Sequence, residues 1–507
     1  MGRVKLNLLV NLGGQGWTAL VQLAVIPFYI RVLGIEGYGL IGFYATLQAV
    51  LMILDLGLSP TLNRELARRS ARPELGADTR DFVRTLETGY WALGLLIGLG
   101  VAAAAPLVAS HWIEAAGIPP PVIRHVVVLM GVVTALQWPI SFYQGGLQGL
   151  QHQAVLNGIR VCVSTGGALG AVLVLRQAPT ITAFFQWQLV VSAAHAALIA
   201  RALWRRLPPS DHPARVRPPL LRGVWRFALG MSAITASGLV LTQADKALVS
   251  RLVSLEAFGY YALASTVASG LYVLINPVFN ALFPRFSVLA ALGDEAALRR
   301  LYHRASQLMA VTLMPLAALL SLFAPEVLAL WTGNPEVARN TALIVSCLVM
   351  GTAVNGLMTL PYALQLAHGW TDLGVRITTY LVLVQVPAIV VMTLRYGPVG
   401  AASVWLGLNL LYMLVGLPLT HRRLLPHDMG RWLGEDVLPP SCAALAVVGA
   451  GRWLLPPGSG AGVAVTLALL LFASFVAAAL ATPEARSALR ALLASRGQRV
   501  TSRERLP

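Results

Sequence analysis

The sequence has little charge and very little acid. Of its 507 residues only 12% are charged, and 21 are acidic against 38 basic. Soluble domains carry about 25% charged residues. Length alone would give roughly three soluble domains, and so low a charge content excludes them. Lysine is nearly missing: only Lys5 and Lys246 occur, and every other basic residue is arginine. There are three cysteines, Cys162, Cys347 and Cys442. Each lies in an apolar run with no CxxC and no nearby His, which excludes a disulfide framework and a metal site and leaves small core residues. No HExxH, P-loop or GxSxG is present. The string GGQGWTA contains G-x-G-x-x-A, but no strand precedes it, so it is no dinucleotide fingerprint. Neither an enzyme nor a nucleotide-driven pump is expected, and no cofactor or metal.

What the chain has instead is apolar length. It is 57% hydrophobic, and its mean hydropathy is strongly positive. A membrane-spanning helix needs about 20 mainly apolar residues, and such runs follow one another nearly end to end. Fourteen spans are predicted: 6–30, 38–61, 86–109, 121–142, 154–175, 181–203, 225–249, 258–282, 306–324, 339–363, 375–394, 399–420, 437–454 and 462–481. The basic start and long apolar run of residues 1–30 read as a retained first helix, because the run exceeds a signal-peptide core. Arginine is dense at 64–84, 201–226, 285–304 and in the tail, and sparse in connections such as HWIEAAGIPPP. The positive-inside rule then puts both termini in the cytoplasm, for a multi-pass protein of the plasma membrane. It also accounts for the net charge of +17 without nucleic acid.

The expected fold is all-α, with two pseudo-symmetric six-helix lobes. The N-lobe covers 1–203 and the C-lobe 225–425. A basic, Pro-rich cytoplasmic linker, 204–224, joins them. Two further helices occupy 426–483, and a basic tail 484–507. The halves resemble each other. At an offset of about 220, RVLGIEGYGLIGFYAT (31–46) falls on RLVSLEAFGYYALAST (251–266), matching Arg31 with Arg251, Glu36 with Glu256, Gly39 with Gly259 and Thr46 with Thr266. Both segments lie at the turn between the first and second helix of a lobe. Paired repeats are common in alternating-access transporters, with the substrate at their interface.

Two polar stripes run along repeat-related helices. Span 1 carries Asn7, Asn11, Gln15, Thr18 and Gln22 on one face. Span 7 carries Ser232, Thr235, Thr242, Gln243, Lys246 and Ser250, within about 60° of Lys246. They predict a water-filled central cavity; the competing reading is hydrogen bonding between spans. Asp245 borders the second stripe. Lys246 either lines the cavity or snorkels to the interface. As sequence neighbours, Asp245 and Lys246 are not expected to pair. Arg31 and Arg251 end their helices at the outer surface, where a cation suits the helix dipole. Asp55 and Arg160 fall toward the cytoplasmic third, each costly if unpaired. They pair with one another, or Arg160 faces a phosphate.

The stretches PFYIRVLGIEGYGLIGFYATLQAVLMILDLGLSPTLNRELAR, DKALVSRLVSLEAFGYYALAS, LFPRFSVLAALGD and LALWTGNP resemble, in order, polysaccharide-export flippases of the Wzx (O-antigen/teichoic-acid) type. Their superfamily (MOP) also holds the MATE multidrug exporters and the lipid II flippase. The resemblance spans residues 1–425. It implies a two-lobed, V-shaped, MATE-like transporter, a monomer, that moves an undecaprenyl-diphosphate-linked oligosaccharide to the outer leaflet. It also implies membrane lipid around the chain, with glycosyltransferases and a polymerase as neighbours in biosynthesis. A diphosphate and a glycan need a polar path with cations. The candidate cavity residues are Asn11, Gln15, Thr18, Gln22, Arg31, Arg160, Thr242, Gln243, Lys246 and Arg251. Asp55 and Asp245 are candidates for proton or sodium coupling or for an ion pair. The same fold also admits a lipid II flippase, a cation-coupled drug exporter, or a scaffold that recruits glycosyltransferases.

Overall fold

The computed structural model describes residues 2–55, 58–70, 76–210, 212–221, 242–454, 461–484 and 486. Among them there are helices and short turns and no strand. A chain in hydrocarbon must satisfy its backbone groups within each segment, and the helix does so. Its outer faces fit the same solvent: Leu95, Leu96, Leu99, Leu169, Leu173 and many other large apolar residues are exposed. So much apolar surface would be a liability in water.

Eleven stretches are long and apolar enough to cross a membrane. Two of them hold two expected spans each. Helix Gly2–Leu51 bends at Gly34, with φ 72°, and Thr371–Leu424 bends at Gly397, with φ 62°. Positive φ favours glycine, so the two turns are written into the sequence. The eleven stretches therefore cover thirteen of the fourteen expected spans. The remaining one, 225–249, lies mostly outside the described residues. The second span stops sooner than expected. The helix ends at Leu51, and a single tight turn, Met52–Asp55, follows.

The chain forms two compact units, Met1–Ala262 and Leu263–Pro507. The first is built around an aromatic core that includes Phe82, Tyr90, Phe142 and Tyr143. The described part of the linker is anchored to it. The Arg215 N–H donates to Asp81 at 2.7 Å, and the Arg217 guanidinium meets the same carboxylate at 2.8 Å. The Arg217 N–H donates to the Thr85 hydroxyl at 2.8 Å. In the second unit the C-terminal helices Leu438–Leu454 and Ala461–Leu480 pack along Glu295–Leu322 through Leu319, Val448 and Leu467. The cysteines are not core residues as expected. Cys162 and Cys442 are exposed and Cys347 is half-buried, because an apolar run in a membrane helix has a lipid face as well as a packed one.

Candidate functional site

Within the first unit the two sequence-matched segments pack on each other. A Cβ on Gly39 would stand 2.7 Å from the Leu255 carbonyl oxygen, and one on Gly259 would overlap the Ile35 carbonyl oxygen. The same offset of 220 relates Gly39 to Gly259 and Ile35 to Leu255. The crossing is therefore reciprocal, and each helix needs glycine where it meets its counterpart's backbone. One step along, a Cβ on Gly42 would stand 2.5 Å from the Ala262 Cβ. The segment 112–117 seals this end. The Glu36 carboxylate accepts from the Ala116 and Gly117 N–H groups at 2.8 and 2.9 Å. The Leu255 N–H donates to the Glu114 carbonyl at 2.6 Å, and the Trp112 indole donates to Ser250 at 3.2 Å.

Helix 242–252 leads into the second of the two matched segments. Asp245 is buried, and its Oδ2 accepts from the Tyr261 hydroxyl at 2.6 Å. Lys246 Nζ stands 3.9 Å from Asp245 Oδ1 and donates to the Thr242 carbonyl at 3.2 Å. The expectation that these neighbours do not meet is corrected. The four-carbon stem lets the ammonium fold back along the helix. The lysine side chain remains 23% exposed.

At the far end of the second span, Asp55 does not pair with Arg160. Its Oδ1 accepts from the Tyr90 hydroxyl at 2.8 Å and from Ser141 at 3.5 Å, and its Oδ2 accepts from the Ser59 N–H at 3.4 Å. Because the helix ends at Leu51, Asp55 is free to cap the next one, Leu58–Ser70. Arg160 is half-buried on Gln153–Gln177.

Residues 4–290 match the family model described as polysaccharide biosynthesis protein. The chain belongs to this family. A protein of Shigella flexneri described as an O-antigen transporter is 22% identical over 411 residues, or 79% of this chain and 93% of that protein. One of Escherichia coli strain K12 with the same description is 24% identical over 285 residues, or 54% of this chain and 62% of that protein. Among solved structures, the lipid II flippase MurJ in an inward closed conformation aligns with a TM-score of 0.68 at 11% identity. It covers 92% of this chain and 97% of its own. An inward-facing MATE multidrug transporter of the MOP superfamily aligns with a TM-score of 0.62 at 16% identity, covering 80% of this chain and 94% of its own. The likeness is one of fold, and the fold is that of the MOP transporters.

In this family member the expected stripe residues fall as follows. Gln15 and Gln22 are exposed, and Thr18 is half-buried, donating to the Gly14 carbonyl at 2.9 Å. Arg31 and Arg251 are exposed at the turns, as is Thr242, while Gln243 is half-buried. The side chains of Asn7 and Asn11, and all of Ser232 and Thr235, lie outside the described residues. Ser250 serves Trp112. Several interior polar groups were not singled out from the sequence. Gln48 bonds to Gln137, whose amide donates to Ser192 at 2.8 Å. Buried Glu87 accepts from Tyr143 at 2.7 Å and Trp204 at 2.9 Å, and pairs with Arg84 at 2.8 Å. The available signal was a polar residue standing in, or at the edge of, an apolar run.

Proposed function

We propose that the chain is a flippase that carries an undecaprenyl-diphosphate-linked oligosaccharide from the cytoplasmic to the outer leaflet by alternating access. Membership of a polysaccharide biosynthesis family and the MOP fold support this reading. The observation that carries it is Lys246: a half-buried ammonium on the polar face of the seventh span, braced by Asp245 and a backbone carbonyl. An ammonium is a good point charge for a phosphate. The lipid tail would stay in the bilayer while the charged head passes along the polar faces of the first and seventh spans. The Gly39–Gly259 crossing is the outer closure of that path, with segment 112–117 on the periplasmic side and both termini in the cytoplasm. Asp245 holds the lysine and is the candidate for proton or sodium coupling. Glycosyltransferases supply the substrate on the inner face, and a polymerase consumes it on the outer. The chain does no bond chemistry of its own in this scheme.

A second reading has one specific observation in its favour. MurJ matches the chain over a larger share than the MATE transporter does, so the substrate could be lipid II. A drug exporter is less well supported: Asp55 and Glu87 are occupied by hydrogen-bond donors of the protein, and the Asp245 oxygen that has no hydrogen bond faces the Lys246 ammonium at 3.9 Å, which disfavours a cationic drug there. Deleting the gene separates the readings. An oligosaccharide-diphosphate lipid should build up in the inner leaflet while surface polysaccharide disappears. Accumulation of lipid II instead, or no accumulated lipid, would contradict the proposal.

A further inference from the structure

The second unit contains a buried ionisable cluster that the transport scheme does not use. His303, on helix Glu295–Leu322, is 3% exposed. Its Nδ1 meets Asp436 Oδ2. Its Nε2 lies 3.7 Å from Asp428 Oδ2, and neither of those two buried atoms has a hydrogen-bond partner. The other Asp436 oxygen accepts from Gln307 at 2.8 Å, and Asp428 Oδ1 pairs with Arg299 at 3.4 Å. Both acids come from segment 425–437, which follows helix Thr371–Leu424. The same segment places the Trp432 indole on Ser306 at 3.0 Å.

Two carboxylates face one guanidinium here, which leaves one negative charge too many in a buried place. An uncompensated buried charge is costly. A second proton on the imidazole would cancel it and give Nε2 a hydrogen to direct at Asp428. We propose that His303 is a proton-binding site: segment 425–437 docks on helix Glu295–Leu322 with one proton taken from solvent and held between Asp428 and Asp436, and returns it when it undocks. The first unit holds its own third helix differently. There Arg215 and Arg217 of the linker meet Asp81, and no histidine takes part.

Of the other ionisable groups on the segment and its helix, Arg431 pairs with Glu435 at 3.1 Å and Arg304 with Glu484 at 2.5 Å. Tyr302 on the same helix lies edge-on to the His303 ring at 5.6 Å between centroids and bonds to His421 at 3.3 Å. Arg299 is committed to Asp428. Among the helices packed on Glu295–Leu322, Ala461–Leu480 has no ionisable side chain. Arg452 of Leu438–Leu454 pairs with Glu326 next to Phe323, and Tyr362 of Pro335–Ala367 stacks on Phe279 of Tyr272–Leu292. The proposal is independent of the substrate assigned above.

Hydrogen exchange on the purified full chain tests it. Protection of amides 432–437, corrected for intrinsic rates, is compared at about pH 5.5 and about pH 8.5, on either side of the ordinary imidazole range. In the wild type, protection should fall at least about tenfold at the higher pH. His303→Gln should show equal protection at both, and His421→Gln should keep the wild-type fall. Equal protection in the wild type, or an undiminished fall in His303→Gln, would overturn the proposal. If His303→Gln does not fold, Asp428→Asn takes its place. It removes the charge that calls for the second proton, so a full wild-type fall in that variant overturns the proposal as well.

Discussion

Asp55 shows what a buried carboxylate needs at the end of a membrane helix. It has the Tyr90 hydroxyl, the Ser141 hydroxyl and the Ser59 N–H, and needs no cation. Tyr90→Phe should therefore destabilise the protein by about 1.5–3 kcal/mol, the range for a lost hydrogen bond to a charged group, read as a lower melting temperature in detergent. Asp55→Asn and Arg160→Ala share no contact, so their effects should add within about 0.5 kcal/mol; a large coupling energy would mean that they do interact. At Lys246 the expected effect is functional. Lys246→Gln should abolish export of surface polysaccharide at a normal level of protein in the membrane, while a snorkelling lysine would tolerate the change. These partnerships were only partly legible in the sequence. The charges themselves stood out against an apolar background. Their partners did not, because Tyr90 and Ser141 are 35 and 86 positions from Asp55, and periodicity says nothing about contacts at that range. Asp245 and Lys246 misled for a different reason: adjacency separates Cβ directions but does not stop a long side chain from folding back.

At the scale of elements the sequence was more informative. Apolar length gave the helices, the gaps at 31–37 and 395–398 between predicted spans fall where Gly34 and Gly397 turn the chain, and the offset of 220 joined two segments that turn out to touch. The reciprocal crossing explains why glycine recurs at 39 and 259, since each faces the other segment's carbonyl. Gly259→Val should prop the crossing open. The variant should reach the membrane but lose export, and solvent labelling of a cysteine placed at Tyr38 should rise from the outer side. Unchanged labelling with normal export would show that the crossing is not a gate. The anchoring of the linker was not legible. A Pro- and Arg-rich stretch reads as a tether by composition, whereas the Asp81 and Thr85 groups that hold it belong to a distant helix start. Nor did the sequence show that helix 242–252 and its turn pack with the first unit, because the lobes were divided by linker position and not by contact.

For the molecule as a whole, the proposed function requires a fixed orientation in the membrane and movement of a lipid-linked glycan. Reporter fusions at position 215 should report the cytoplasm, and fusions at 115 and 334 the periplasm; a periplasmic signal at 215 would invert the scheme. The most direct measurement is translocation in proteoliposomes. The protein, lacking its native cysteines and carrying Gly42→Cys with Ala262→Cys, is reconstituted with the lipid-linked oligosaccharide extracted from the producing strain. The Cβ of residue 42 would stand 2.5 Å from that of residue 262, inside the usual disulfide spacing of about 3.8 Å, so a small parting of the helices allows the bond. Under reducing conditions the glycan should become accessible to an external lectin. After oxidation it should stay inside, and reduction should restore movement. Accessibility no faster than in protein-free vesicles, or equal movement in the oxidised and reduced states, would contradict a flippase that works by opening and closing this crossing.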